Sequence, residues 1–104
     1  MKDISVQELA KVLKENKSFT LLDVRENYEY KIGHLQCVHI PMDEVPTRAN
    51  ELDCEKETYV MCKTGKRAAA VANFLNTNHN FLNIGIVIGG VEAYANEIDQ
   101  SIEV

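Results

Sequence analysis

Cys62 is the residue of this chain whose surroundings best suit covalent chemistry. It follows the apolar residues 59–61, Gly65 lies three positions later, and an alanine-rich, helix-forming segment begins at Ala68. A strand that ends in cysteine, turns through glycine and opens into a helix surrounds the sulfur with main-chain N–H groups that lack a partner within the helix. The helix dipole adds partial positive charge at the same place. We therefore expect Cys62 to form a thiolate more readily than a free cysteine does.

Formal positive charges also cluster in this loop. Lys63, Lys66 and Arg67 follow the cysteine closely, whereas the chain as a whole has a formal net charge of −5. A local positive cluster in an acidic chain favours a small anionic substrate, and the acidic balance argues against a nucleic-acid partner.

The composition is that of an ordinary globular protein. The chain has 104 residues, of which 45% are hydrophobic and 26% are charged, so we expect residues 1–104 to form one domain with one core. No apolar run approaches the roughly 20 residues that a membrane span needs, and the first residues lack the basic-then-apolar build of a signal peptide. The three cysteines include no CxxC pair and do not suggest a disulfide framework. We expect a cytoplasmic protein without a membrane partner.

Apolar runs alternate with helical patterns along the chain. Strands are expected at residues 19–24, 37–40, 58–62 and 84–88, and helices between Ser5 and residues 16–18 and at residues 26–31, 66–77 and 91–98. The polar connection from residue 42 to residue 57 is interrupted by Pro46, with one short helix expected around residues 47–52. This alternation indicates an α/β fold with a mostly parallel sheet, which binds ligands beyond the carboxyl ends of its strands. Asp23 and Cys62 both end predicted strands, so both should reach that edge.

Short motifs along the chain resemble, in their order and spacing, those of the rhodanese-like family in its single-domain form. They are residues 21–26, Glu29-Tyr30, residues 33–35, Ile40-Pro41, Asp43-Glu44, residues 62–67, residues 88–91 and Ala93-Tyr94. The resemblance implies a rhodanese-like three-layer fold, in which helices flank a mostly parallel central sheet. It also implies that Cys62 is the catalytic residue and carries a persulfide sulfur from a donor to a thiophilic acceptor.

The residues after the cysteine have expected roles in such a transfer. The active-site loop is expected to comprise Lys63, Thr64, Gly65, Lys66 and Arg67. Its successive main-chain N–H groups could bind an anion as a nest, and the glycine permits a turn that a Cβ would hinder. The two lysines could attract an anionic donor such as thiosulfate, and the arginine could either bind the donor or brace the loop. The expected acceptor is cyanide, a small thiol or a protein thiol, for example on a thioredoxin-like or sulfur-relay protein, and no cofactor is expected.

Two other functions fit parts of the pattern. Cysteine phosphatases and arsenate reductases also place a thiolate in an anion-binding loop ahead of a helix, with one residue more between the cysteine and the arginine. Here four residues separate Cys62 from Arg67, and the smaller loop is better matched to one sulfur atom than to a tetrahedral phosphate. Rhodanese-like domains that have lost the cysteine serve as non-catalytic binding modules, whereas this chain retains Cys62.

Asp23 and Arg25 are the residues outside the loop for which a supporting role is expected. They could be a simple surface pair. Because Asp23 ends a predicted buried strand, we favour a hydrogen-bonded network that supports the loops around the site.

The remaining histidines and cysteines are interpreted as structural. His34 is expected to order a turn. Cys37 and Cys54 could in principle resolve the persulfide as an internal disulfide with Cys62, but nothing in the spacing demands it, and a structural role is expected for both. The spacing of His34, Cys37 and His39 resembles that of metal ligands, but no suitable fourth ligand follows. The sequence therefore predicts no metal site.

Overall fold

A parallel sheet forms the centre of the fold. Its strands are β1 (Thr20–Asp23), β2 (Val38–His39), β3 (Thr58–Met61) and β4 (Ile84–Ile86), paired in the order β2–β1–β3–β4 within residues 2–104, which the computed structural model describes. Asp23 at the end of β1 is the register partner of both Met61 in β3 and His39 in β2. Three carboxyl ends therefore meet at one edge, immediately before Cys62, and the predicted parallel α/β sheet is confirmed.

Helices cover both faces of this sheet. They are α1 (Val6–Lys14), α2 (Asn27–Ile32), α3 (Val45–Arg48), α4 (Lys66–Asn78) and α5 (Gly90–Glu97). Successive side chains of a strand point to opposite faces, so Leu21 and Tyr59 pack in one core with α1 and α5, whereas Leu22 and Val60 pack in another with α3 and α4. The two cores on either side of the sheet give the expected three layers.

The first helix begins as the sequence predicts. The Ser5 hydroxyl accepts a hydrogen bond from the Glu8 N–H at 3.1 Å, and the Glu8 carboxylate accepts one from the Ser5 N–H at 3.3 Å. This reciprocal capping box satisfies main-chain donors that the helix itself leaves free.

The connection between β2 and β3 is more helical than expected. A 3₁₀ turn over Met42–Glu44, then α3, then a second 3₁₀ turn over Ala49–Glu51 follow one another without a break at Pro46. The prediction of one short helix around residues 47–52 was therefore wrong in its bounds. Pro46 lies in the first turn of α3, where a main-chain N–H has no partner within the helix, so its ring interrupts nothing.

The chain also extends the sheet before its first helix. Ile4 forms a parallel bridge with Val87, and its N–H donates to the Ile86 oxygen at 2.9 Å.

Among residues 2–104, no helix has both the length and the apolar character that crossing a bilayer requires.

Candidate active site

Cys62 lies directly after β3, and its side chain is only 1% exposed. Its Sγ accepts hydrogen bonds from the Gly65 N–H at 3.1 Å and from the Ala68 N–H at 3.3 Å. Ala68 is the third residue of α4, so one of these donors belongs to the first turn of the helix. The sulfur therefore lies where main-chain donors and the positive end of the α4 dipole converge, an arrangement that stabilises negative charge on it.

Gly65 gives the loop a shape that other residues resist. Its φ is +123°, a conformation in which a Cβ is strained, and it is the residue from which α4 starts. Because the Gly65 N–H is itself a donor to the Cys62 sulfur, the backbone turn and the hydrogen bonding of the sulfur depend on the same residue.

The start of α5 fixes the loop from the opposite side. The Val91 N–H donates to the Cys62 oxygen at 2.9 Å, and the Glu92 N–H donates to the Lys63 oxygen at 3.0 Å. Gly90 has a φ of +63°, and a Cβ at this position would overlap both acceptor oxygens. Residues 88–91 form one of the motifs on which the family resemblance rests, but the part of Gly90 in holding the loop after Cys62 was not predicted.

Three of the predicted loop residues are open to solvent. Lys63, Thr64 and Lys66 are exposed, and among the described residues neither lysine forms an ion pair. Their charges remain available to an incoming anion.

Arg67 is instead engaged with a residue that was not predicted for the site. Its guanidinium donates to both carboxylate oxygens of Glu29, at 2.7 and 2.9 Å. The Arg67 hydrogen bonds, opposed in part by burial, lower the pKa of Glu29 to about 2, and the same pair raises the pKa of Arg67. Glu29 stands in one of the quoted motifs, but 38 positions separate it from Arg67, so local spacing gave no signal of the contact.

Asp23 and Arg25 form a buried ion pair rather than a surface pair. Their side chains are 0% and 1% exposed, and Arg25 Nη2 lies 2.8 Å from Asp23 Oδ2. The guanidinium also donates to the main-chain oxygens of Glu29 at 3.3 Å and Gly33 at 2.8 Å. Arg25 thus links the end of β1 to the backbone of α2 and of the residue that follows it, Gly33. Glu29, the ion-pair partner of Arg67, lies in the same helix.

The two histidines near β2 stack against one aromatic ring. The Tyr30 ring lies between His34 and His39, with centroid distances of 3.8 and 4.1 Å. His34 Nδ1 donates to the Tyr30 oxygen at 2.7 Å, and His39 Nε2 donates to the Arg25 oxygen at 2.8 Å. No cluster of three potential metal ligands occurs among residues 2–104.

The other two cysteines are partly buried free thiols. Burial, together with the nearby charge of Asp23, raises the pKa of the Cys37 thiol to about 12. Cys37 is therefore protonated at neutral pH and is a poor nucleophile. Cys54 packs against the core that contains α4.

Comparison with known proteins agrees with this architecture. The family model of the rhodanese-like domain matches residues 5–97. YtwF of Bacillus subtilis (strain 168), which is named as a candidate sulfurtransferase, is 32% identical over 98 residues, covering 93% of this chain and 93% of that protein. YrkF of the same organism, named as a candidate sulfur carrier protein, is also 32% identical over 98 residues, and this chain spans only 52% of its length.

A solved structure has nearly the same fold. The crystal structure of a rhodanese-like domain protein from Staphylococcus aureus is 31% identical and has a TM-score of 0.85, covering 100% of this chain and 98% of that one. The family match over residues 5–97, the relatives and this structure together lead to one conclusion. The chain belongs to the rhodanese-like domain family.

Proposed function

We propose that this protein is a sulfurtransferase that carries a sulfane sulfur on Cys62 from an anionic donor such as thiosulfate to cyanide or a thiol. The observation that carries the proposal is the pair of main-chain N–H groups, from Gly65 and Ala68, that converge on the Cys62 sulfur. The names of YtwF and YrkF, which refer to sulfur transfer and sulfur carriage, support the same reaction class.

In the first step, the Cys62 thiolate attacks the outer sulfur of thiosulfate. A new S–S bond forms, the S–S bond of the donor breaks, and its electron pair leaves with sulfite. The product is a cysteine persulfide anion on Cys62, so atoms and charge balance without a cofactor or an external base. Lys63 and Lys66, both exposed in the loop, would attract the donor.

In the second step, the acceptor attacks the outer sulfur of the persulfide. Cyanide leaves as thiocyanate, or a thiolate becomes a persulfide, and the Cys62 thiolate is restored. The main-chain donors around the sulfur stabilise the anion both before and after this step. They are fixed by the backbone of the loop, so they need little rearrangement during the cycle.

The contacts of the loop favour sulfur transfer over phosphate-ester hydrolysis. A transferring phosphoryl group spreads its charge over several oxygens, which phosphoryl-transfer sites stabilise with arginine, lysine or metal ions. Arg67 is engaged with Glu29 through both carboxylate oxygens, so it is not free to bind phosphate oxygens. The close donors that remain are the N–H groups of Gly65 and Ala68, and both point at one atom, the Cys62 sulfur.

The exposed residues of the loop suit an acceptor larger than cyanide. Lys63, Thr64 and Lys66 are all exposed around a sulfur that is itself buried. We place the protein in the cytoplasm, where a reducing environment keeps Cys62 free for the next cycle, and expect a small thiol or a thioredoxin-like or sulfur-relay protein to accept the sulfur.

Two measurements test this function. After thiosulfate treatment, the mass of the protein should rise by about one sulfur atom, and the gain should disappear in Cys62→Ser but persist in Cys54→Ser. Thiocyanate production from thiosulfate and cyanide should follow the same pattern. Absence of the adduct in the wild type would instead identify a binding module, and p-nitrophenyl phosphate hydrolysis lost in Cys62→Ser would identify a phosphatase.

A further inference from the structure

Arg67 differs from the other two cations of the active-site loop. Lys63 and Lys66 are exposed, whereas Arg67 is one third exposed and forms an ion pair with Glu29 through two hydrogen bonds. Arg67 is nevertheless next to the site, because it directly precedes Ala68, whose N–H donates to the Cys62 sulfur at 3.3 Å. The negative charge of a Cys62 thiolate accordingly adds, after the larger effect of Glu29, to raising the pKa of Arg67. A cation that could bind the donor is therefore neutralised beside the site.

The carboxylate that neutralises it is held firmly. The side chain of Glu29 is only 13% exposed, and its Oε1 also accepts a hydrogen bond from the Glu26 N–H at 3.0 Å. The main-chain oxygen of Glu29 accepts from the buried Arg25. Backbone and carboxylate are thus both fixed, so Glu29 cannot easily turn away when an anion arrives.

A fixed carboxylate next to an anion-binding loop repels donors in proportion to their charge. It acts on the donor directly and also withdraws Arg67 from it, and both effects are Coulombic. A dianion such as thiosulfate loses twice as much binding free energy as a monoanion of similar size. The repulsion changes how tightly the dianion and the monoanion bind, but not the bonds that break and form when either gives up its outer sulfur.

From these contacts we infer that Glu29 is a specificity-determining residue, which lowers the affinity of the site for doubly charged donors and favours donors of lower charge, such as organic thiosulfonates or persulfides. The inference rests on the proposed sulfurtransferase function, since it names the donor class of the same site. It assigns Glu29 no direct role in breaking or forming bonds.

The test compares two donors that transfer the same kind of sulfur but differ in charge, thiosulfate and benzenethiosulfonate. Glu29→Gln should lower the KM for thiosulfate about threefold to tenfold and the KM for benzenethiosulfonate about twofold to threefold. Both changes should shrink as ionic strength rises. Glu26→Gln is the matched control, because it removes the same charge from an exposed position one turn earlier, without contact to Arg67. The Glu26 side chain accepts a hydrogen bond from the Glu29 N–H, and glutamine keeps an acceptor oxygen for it, so this variant should change either KM less than twofold.

Arg67→Ala separates charge selection from a purely structural role of the pair. If the pair only braced the loop, loss of either partner would impair both donors alike. Charge selection predicts opposite signs: Glu29→Gln lowers the KM for thiosulfate, and Arg67→Ala, which leaves the carboxylate unneutralised, raises it. Equal changes for the two donors, or a KM for thiosulfate that rises in both variants, would overturn the inference.

A binding measurement keeps this test independent of turnover. Sulfate is an unreactive dianion, and its binding at the loop should slow the alkylation of Cys62 by neutral iodoacetamide. Glu29→Gln should show half-maximal protection at a sulfate concentration about threefold to tenfold lower than the wild type requires. If the KM ratios and the sulfate protection are the same in Glu29→Gln and the wild type, charge selection is rejected while sulfur transfer stands. If sulfate protects Glu29→Gln more strongly but neither protein turns over, charge selection is supported and sulfur transfer is rejected.

Discussion

Asp23 and Arg25 are two residues apart in the chain, and their buried side chains join the sheet to the helix beside the reactive loop. Asp23 Oδ2 accepts hydrogen bonds from Nε and Nη2 of Arg25 at 3.0 and 2.8 Å, and the same guanidinium reaches main-chain oxygens of Glu29 and Gly33. Contacts therefore run from β1 through Arg25 and α2 to Glu29, then to Arg67 and the loop. We therefore expect Asp23 to influence the site through these contacts rather than by touching the substrate.

Breaking this buried pair should cost far more stability than breaking an exposed ion pair. Asp23→Asn leaves the Arg25 charge buried without its counter-ion, so we expect a loss of about 3 kcal/mol or more in the free energy of unfolding. Urea denaturation measures it. Glu15→Gln, which removes the exposed partner of Lys17, is the control and should cost less than about 0.5 kcal/mol. Similar losses for the two variants would contradict a structural role for Asp23.

Gly65→Ala should affect both folding and turnover. The φ of +123° strains any residue with a Cβ, which costs about 1 to 3 kcal/mol. Relief of that strain moves the N–H of this residue away from the Cys62 sulfur, so kcat for sulfur transfer should fall about tenfold to a hundredfold. Thr64→Ala, in the exposed neighbouring position, should retain kcat within about twofold. A normal kcat in the Gly65→Ala variant would show that this donor is dispensable.

The ion pair between Glu29 and Arg67 should make stability depend on pH in the acid range. The folded protein holds the pKa of Glu29 at about 2, below its ordinary value of 4.5. Stability from this group is therefore fully present above pH 4.5 and is lost as the pH falls towards 2.

Because Arg67 is one third exposed, solvent screening limits this contribution to about 1 to 2 kcal/mol. Free energies of unfolding for the wild type and Glu29→Gln should differ by this amount at about pH 7 and converge near about pH 2. If this difference in the free energy of unfolding stays constant across the range, the charge of the Glu29 carboxylate does not stabilise the fold.

Cys37 and Cys62 should differ sharply in reactivity. The pKa of about 12 keeps Cys37 protonated at neutral pH, so iodoacetamide should label it about a hundredfold more slowly in the folded protein than in urea. Peptide mass spectrometry follows the two sites separately. Sulfur transfer should persist in Cys37→Ala, and loss of persulfide from Cys62 in that variant would assign Cys37 a redox role.

Local pattern was enough to predict the strands of the sheet and the loop between Cys62 and the next helix, because the signals for both lie within a few residues. The apolar run before Cys62 and the helix-forming segment from Ala68 identify β3 and α4 without knowledge of the rest of the chain. The capping box of Ser5 and Glu8 is equally local. That the strands run parallel then follows from the alternation of helices with strands along the chain.

The contact between Glu29 and Arg67 could not be predicted in this way. It depends on how α2 is placed against α4, and that placement depends on hydrogen bonds from the buried Arg25 to the backbone at Glu29 and Gly33. The helical character of residues 42–51 was hidden for a different reason. Pro46 reads as a helix breaker, but the packing of Val45 and Ala49 into the core selects a register in which the proline lies in a first turn.

The depth of Cys62 also bears on how the protein behaves in air. A disulfide between two molecules requires Cβ atoms about 3.5 to 4.5 Å apart, and a side chain that is 1% exposed at the base of a loop cannot approach its counterpart that closely. A second sulfur bound to Cys62, as the proposed cycle requires, would lie about 2 Å from Sγ, and we expect an acceptor to reach it more easily than the thiol itself. We therefore expect the fold to protect the unloaded thiol against oxidative cross-linking between molecules, while a sulfur bound to Cys62 in the proposed cycle stays open to exchange.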